Sequence, residues 1–121
     1  VAGSMSVREN VLLPAALRSS DVDEALLADL ALDAIADQPA TRTSLGEQQR
    51  TGIARGLLLQ PRVALLDEPT SHQDDENVER VLSFLLRARS GGTTLVVATH
   101  DSRVAAVADV VHHLAGGRLH D

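Results

Sequence analysis

Asp67 and Glu68 stand side by side behind a short apolar run, Val63-Ala64-Leu65-Leu66. Adjacent carboxylates at the C-terminal edge of a buried strand suit two tasks, because open α/β sheets place their ligands at that edge. One carboxylate holds a hydrated Mg²⁺. The other orients or activates water for attack on a phosphoryl group. The plain alternative is an acidic turn after a core strand. Ser44 opens a second segment, Ser44-Leu45-Gly46-Glu47-Gln48-Gln49-Arg50. A helix N-terminus with free N–H groups and a serine hydroxyl attracts an anion; an ordinary capped helix has the same form. His100 lies in Thr99-His100-Asp101, after another apolar run. A histidine there reaches a γ-phosphate and an attacking water, or is a surface or capping residue. His72, His112, His113 and His120 show no metal-ligand spacing. His112 and His113, read as strand residues, point to opposite faces.

These groups need elements to position them. Three capping boxes are visible or suggested. In such a box a hydroxyl and a carboxylate each satisfy a free backbone N–H. Ser6-Val7-Arg8-Glu9 opens a short helix that stops near Pro14. Asp21-Val22-Asp23-Glu24 opens one reaching about Leu32. Ser44-Leu45-Gly46-Glu47 opens one that carries Ile53, Ala54, Leu57 and Leu58 on one face and ends before Pro61. Residues 6–37 are expected to be helical, with no strand before Thr43. Val63–Leu66 is expected as a strand buried on both faces, hence part of a parallel sheet. Asp75 to about Arg87 is an amphipathic helix with Val78, Val81, Leu82 and Leu85 inward. Ser90-Gly91-Gly92 ends it. Thr94–Ala98 is a second buried strand, Arg103–Ala108 a short helix and Val110–Leu114 a third strand. Ala115-Gly116-Gly117-Arg118 is a turn. Helices first, then strand–helix–strand–helix–strand, is the second half of an α/β sandwich behind a helical insert. The division expected is 1–42 helical and 43–121 α/β core.

Bulk properties narrow the chemistry. The chain has 121 residues, enough for one small domain. Its formal net charge of −6 argues against nucleic acid as a main partner. With no cysteine there is neither a disulfide framework nor a thiolate metal site. No apolar run is long enough to span a bilayer, and no signal peptide is visible at the start. Phe84 is the sole aromatic residue, so the core is built from Leu, Val and Ala and no ring is offered to an adenine.

The three segments occur in a telling order. Thr43-Ser44-Leu45-Gly46-Glu47-Gln48-Gln49-Arg50 resembles the signature motif of the ABC ATPase family, LSGGEQQR, and Ile53-Ala54-Arg55 continues it. Val63 to Asp67 resembles the family's Walker B strand, and Glu68 its catalytic glutamate. Pro69-Thr70-Ser71 and Asp74 are similar to the D-loop, and His100 to the switch histidine. Val7-Arg8-Glu9-Asn10-Val11 with Leu13-Pro14 is similar to exporters of the macrolide-efflux and lipoprotein-release type.

The resemblance implies a partial P-loop NTPase (RecA-like) sheet with an N-terminal helical subdomain, from a transporter subunit that couples ATP hydrolysis to transport. It implies that Asp67 holds Mg²⁺ through water, that Glu68 polarises the attacking water and that His100 contacts the γ-phosphate. Ser44, Gly46, Glu47 and Gln48 would bind a partner's nucleotide in trans, and Ser71 and Asp74 would shape the D-loop. ATP and Mg²⁺ are the implied cofactors. The implied partners are a second ATP-binding domain and transmembrane permease subunits, at the cytoplasmic face of a membrane without insertion.

The sequence departs from the family's pattern in several places. No G-x-x-x-x-G-K-[ST] loop occurs, so the Walker A half is absent from this sequence. The chain alone is therefore expected to bind MgATP weakly or not at all, to be inactive and to self-associate through exposed sheet edges. Leu45 stands where the family has glycine, and the D-loop reads Ser-His-Gln-Asp where Ala-Leu is usual in the middle. Two other functions stay open: a catalytically dead dimerisation module, and a soluble ABC ATPase of repair or translation type.

Overall fold

The structure, a computed structural model, describes residues 4–17 and 24–120. The capping signal at Asp21-Val22-Asp23 lies outside the described residues; Glu24, at its end, makes no side-chain cap.

The first helix, α1 (Val7–Leu17), starts as the sequence predicts. Ser6 Oγ accepts from the Glu9 N–H at 3.1 Å and Glu9 Oε1 accepts from the Ser6 N–H at 3.0 Å. The Ser6 N–H first, and its hydroxyl next, hold the Glu9 carboxyl below its ordinary range. The helix does not stop at Pro14 but runs through it. A proline inside a helix brings no N–H to the ladder. The extra turn places Ala15 in the interior at 4 % exposure, which favours continuing. The second helix, α2 (Ala25–Asp29), is shorter than the reading to Leu32. Ala31 takes a left-handed φ of 54°, and the Leu32 N–H bonds back to Leu27 O. That wrap ends the helix while keeping Leu30 and Leu32 fully buried. Short 3-10 turns follow at Asp33–Ile35 and Ala40–Arg42.

Helix α3 (Leu45–Leu57) opens on the third capping box, now complete. Glu47 N–H donates to Ser44 Oγ, and Ser44 N–H donates to Glu47 Oε1 at 2.9 Å. Strand β1 (Val63–Asp67) pairs in parallel with β2 (Thr94–Ala98), Val63 opposite Thr94 and Asp67 opposite Ala98. Helix α4 (Asp75–Ser90) connects them, capped by Asp74 Oδ1 on the Asn77 N–H at 2.8 Å. Its predicted inward residues, Val78, Val81, Leu82 and Leu85, are all buried.

One expectation about the strands is corrected. They are buried on one face, not both. Ala64, Leu66 and Leu95 pack against the main core, and Val97 against a smaller cluster of Val78, Leu82 and Val104. The opposite face is open, with Leu65 78 % and Val96 54 % exposed. A wholly apolar run marks a strand built for two covered faces, and only one cover lies among the described residues.

The C-terminal reading also shifts. Helix α5 is Ser102–Val107. The third strand, β3, is His113–Ala115, and a fourth, β4 (Arg118–His120), pairs with it antiparallel. Gly116 and Gly117 have φ of 58° and 76°. Positive φ at both central residues matches the twist of a two-residue hairpin, so the glycines fix the register and push the strand three residues beyond the predicted start. His112 therefore precedes the strand, and its opposition to His113 does not hold.

Candidate functional site

The loop after β1 gathers the predicted residues. Glu68 leaves the strand with φ 46°, a left-handed conformation that costs a non-glycine residue roughly 1–2 kcal/mol. Bonds on both sides of the residue hold it there. Its N–H donates to Ala98 O at 2.7 Å, extending the β1–β2 ladder. Its carbonyl accepts from Gln49 Nε2 at 2.6 Å and from Ser71 Oγ at 2.9 Å. Asp67 is exposed at the strand end, and its carboxylate has no hydrogen-bond or ion-pair partner among the described residues.

The Glu68 carboxylate reaches across to the end of β2. It accepts from the His100 N–H at 3.1 and 3.3 Å and from Thr99 Oγ1 at 3.2 Å. The His100 ring is fully exposed, its Nε2 3.9 Å from Glu68 Oε1. Parallel pairing explains the meeting: Asp67 and Ala98 are opposite, so the residues just beyond each strand arrive together. Below them, Thr99 Oγ1 accepts from the Asp101 N–H, and Thr70 Oγ1 donates to Asp101 Oδ2 at 2.7 Å. The Asp101 carboxyl is held down to about 2, first by hydrogen bonds from the Arg103 guanidinium and next by the Thr70 hydroxyl. Arg103 in turn bonds Asp75 at the start of α4. Thr70, Thr99 and Asp101 thus clamp the two loops to each other. Neither threonine nor this aspartate stands out by spacing; Thr70 entered only with the D-loop-like Pro69-Thr70-Ser71, and Thr99 and Asp101 only as neighbours of His100.

The signature-like segment lies against the same loop. Gly46 is buried, and a Cβ built on it would lie 2.6 Å from His72 O. Glycine is required there because helix start and loop backbone touch. Ser44 is exposed and Leu45 is 65 % exposed. Glu47 is turned back into its capping box, and Gln48 Nε2 donates to Thr43 O at 3.2 Å. Asp74 is occupied as the α4 cap and Ser71 as a brace on Glu68 O. So Glu68, His100 and Ser71 come together, Asp67 ends the strand just before them, and Ser44, Glu47 and Gln48 belong to the start of the adjoining helix.

Among the described residues no cluster of three His, Cys, Asp or Glu side chains forms a metal cage. The donor set fits Mg²⁺, which is commonly held by one or two carboxylates, with water and phosphate oxygens completing its shell. Asp67, exposed and without a protein partner, is placed for that. No described helix is long and apolar enough to cross a membrane.

Comparison with known proteins gives the chain a family. The family described as ABC transporter matches residues 1–71. A lipoprotein-releasing system ATP-binding protein, LolD, of Syntrophotalea carbinolica is 40 % identical over 120 residues, covering 92 % of this chain and 52 % of that protein. LolD of Anaeromyxobacter dehalogenans is 37 % identical over 119 residues, covering 92 % and 50 %. An uncharacterized ABC transporter ATP-binding protein of Mycobacterium tuberculosis is 39 % identical over 123 residues, covering 96 % and 50 %. The chain thus spans about half the length of these curated relatives. Among solved structures, the ATP-binding subunit of an ABC transporter superposes with a TM-score of 0.73 at 21 % identity, over 87 % of this chain and 46 % of that one. An ATP-binding cassette of an ABC transporter gives 0.62 at 19 % identity, over 87 % and 49 %. The likeness shows that the chain shares the α/β fold of these ATP-binding subunits over about half their length. With matching motifs on a matching fold, the chain belongs to the ABC transporter ATP-binding family.

Proposed function

We propose that this chain forms part of the nucleotide-binding subunit of an ABC transporter of the lipoprotein-release type, and that Glu68 is the catalytic carboxylate for ATP hydrolysis. The observation carrying this is the grip of the His100 N–H and Thr99 hydroxyl on the Glu68 carboxylate at the end of a parallel strand pair. A general base must be held within reach of the proton it takes. Here two donors from just beyond the other strand fix its direction, while its carbonyl is pinned from behind.

In this reading Asp67 holds Mg²⁺ through water. The ion, when bound, neutralises charge on the phosphates. Glu68 polarises the attacking water, and the exposed His100 ring contacts the γ-phosphate. Ser44, exposed at the helix start, and Gly46, buried just behind it, meet the nucleotide of a second ATP-binding domain. Glu47 holds the shape of that start, and Gln48 braces the residue before it. Ser71 and Asp74 shape the loop between. The partners are that second domain and permease subunits in the membrane, with the chain peripheral at the cytoplasmic face. The open face at Leu65 and Val96 is an apolar surface that a further layer of the fold or a second copy covers.

The test is Glu68→Gln in a subunit completed with a phosphate-binding loop. The amide keeps the shape and loses the base. ATPase turnover should fall at least a hundredfold with MgATP binding retained. Turnover near wild type would remove Glu68 from the catalytic role. One observation favours a non-hydrolysing dimerisation role instead: Leu45 projects an exposed apolar side chain where the family has glycine. That role predicts no turnover in the wild-type subunit.

A further inference from the structure

Gln73 stands in the loop where the family usually has an apolar residue. Its side chain is wired at both ends. Gln73 Oε1 accepts from Arg50 Nη1 at 2.5 Å. Gln73 Nε2 donates to Gly46 O at 3.0 Å and to Gln49 Oε1 at 2.7 Å. Gln49 Nε2 then donates to Glu68 O and to Ser71 Oγ, at 2.6 and 2.8 Å.

The direction of this chain is set by its ends. A guanidinium only donates, and a backbone carbonyl only accepts. Two amides in series between them have one fully bonded arrangement. The oxygen of Gln73 faces Arg50, its nitrogen faces the oxygen of Gln49, and the nitrogen of Gln49 faces Glu68. Flipping either amide sets N–H against N–H or oxygen against oxygen. Arg50 is 5 % exposed and further fixed by its Nε on Leu30 O at 2.8 Å. Burial strengthens such bonds and makes a broken one costly. The close approach of Gly46 to His72 O locks the same two pieces of backbone at a second point.

We infer that Gln73 is a positioning residue for Glu68, acting through Gln49 as a directional amide relay that joins the buried Arg50 and the start of α3 to the left-handed Glu68 peptide. The relay rests on the reading of Glu68 as the catalytic carboxylate. A misplacement of about 1 Å costs on the order of a hundredfold in rate, so loss of the peptide's brace is expected to be visible.

The experiment is a double-mutant cycle in the complete ATP-binding subunit: Gln73→Met, Gln49→Met and the pair, with Glu68→Gln as control. Methionine keeps the length and removes the polar ends. Each single change should lower kcat by about tenfold or more with KM for ATP within about twofold, since the relay touches no nucleotide. The pair should lose no more than either alone, because both cut one chain in series. If Gln73→Met does not fold, Gln73→Glu replaces it, keeping the acceptor for Arg50 with no donor to pass on. Unchanged kcat in the single variants, additive losses in the pair, or a change confined to KM would each overturn the relay. A control Glu68→Gln subunit that still turns over would instead overturn the reading of Glu68.

Discussion

Gly46→Ala measures how tightly the helix start is pressed on the loop. The added Cβ would lie 2.6 Å from His72 O and 3.2 Å from Gln73 Oε1. Ordinary contact begins near 3.4 Å, so the helix and loop must part by about 0.8 Å along that line. Both sides are backbone, and neither has a side-chain rotamer to give way. Overpacking of this kind costs about 1–3 kcal/mol. Alanine returns at most about 1 kcal/mol through helix propensity, less in the first turn. The net loss is about 1–2 kcal/mol, or a Tm drop of roughly 3–10 °C for a domain of this size. Gly52 supplies the internal reference. It lies in the same helix, and nothing comes within 4 Å of a Cβ built there. Gly52→Ala should therefore stabilise by up to about 1 kcal/mol. The assay is thermal and urea unfolding of the three proteins under identical conditions. Equal stability of the Gly46 and Gly52 variants would refute the close approach, and with it the second point of attachment between α3 and the loop.

The remaining predictions concern capping, acid and the open sheet face. Ser44→Ala removes the capping hydroxyl from Glu47 N–H and should lower stability by about 1 kcal/mol in urea unfolding. Asp101 has a carboxyl lowered from 3.8 to about 2, so its contribution is fully present above pH 3.8 and is lost as pH falls towards 2. Asp101→Asn should be less stable than wild type at neutral pH and converge with it near pH 2; parallel curves across that window would show the bonds to Arg103 and Thr70 to be inert. Leu65→Lys places a charge on the open face and should reduce self-association of the chain in light scattering. Unchanged scattering would show that another surface brings copies together.

The elements were legible where local chemistry decides them. Two capping boxes have reciprocal bonds, and α4 has its inward stripe, because a helix start and an amphipathic face are properties of neighbouring residues. The misreadings fall where distant packing wins. Pro14 reads as a stop because it brings no N–H, yet burial of Ala15, the next residue, favours continuation. The end of α2 depended on a left-handed Ala31, and alanine gives no local sign of that φ. The apolar strands were read as covered on both faces. A run such as Val-Ala-Leu-Leu records that the sheet is designed for two covers, but a sequence pattern does not state which chain supplies the second.

The candidate site divides in the same way. Asp67, Glu68 and His100 were visible because strand ends and acidic or imidazole side chains have a chemistry that spacing alone can suggest. Glutamines carry no such sign. An amide on a helix or in a loop is ordinarily a solvated surface group, and Gln49 and Gln73 lie 24 residues apart. They become connectors only because Gly46 lets α3 approach the loop to a distance that excludes any larger residue. Once that approach exists, the donors and acceptors between Arg50 and the Glu68 carbonyl need groups that both accept and donate. Glutamine has that capacity and leucine lacks it. The polar residue in the loop is thus explained by the geometry around it, whereas its sequence neighbours explain only the turn.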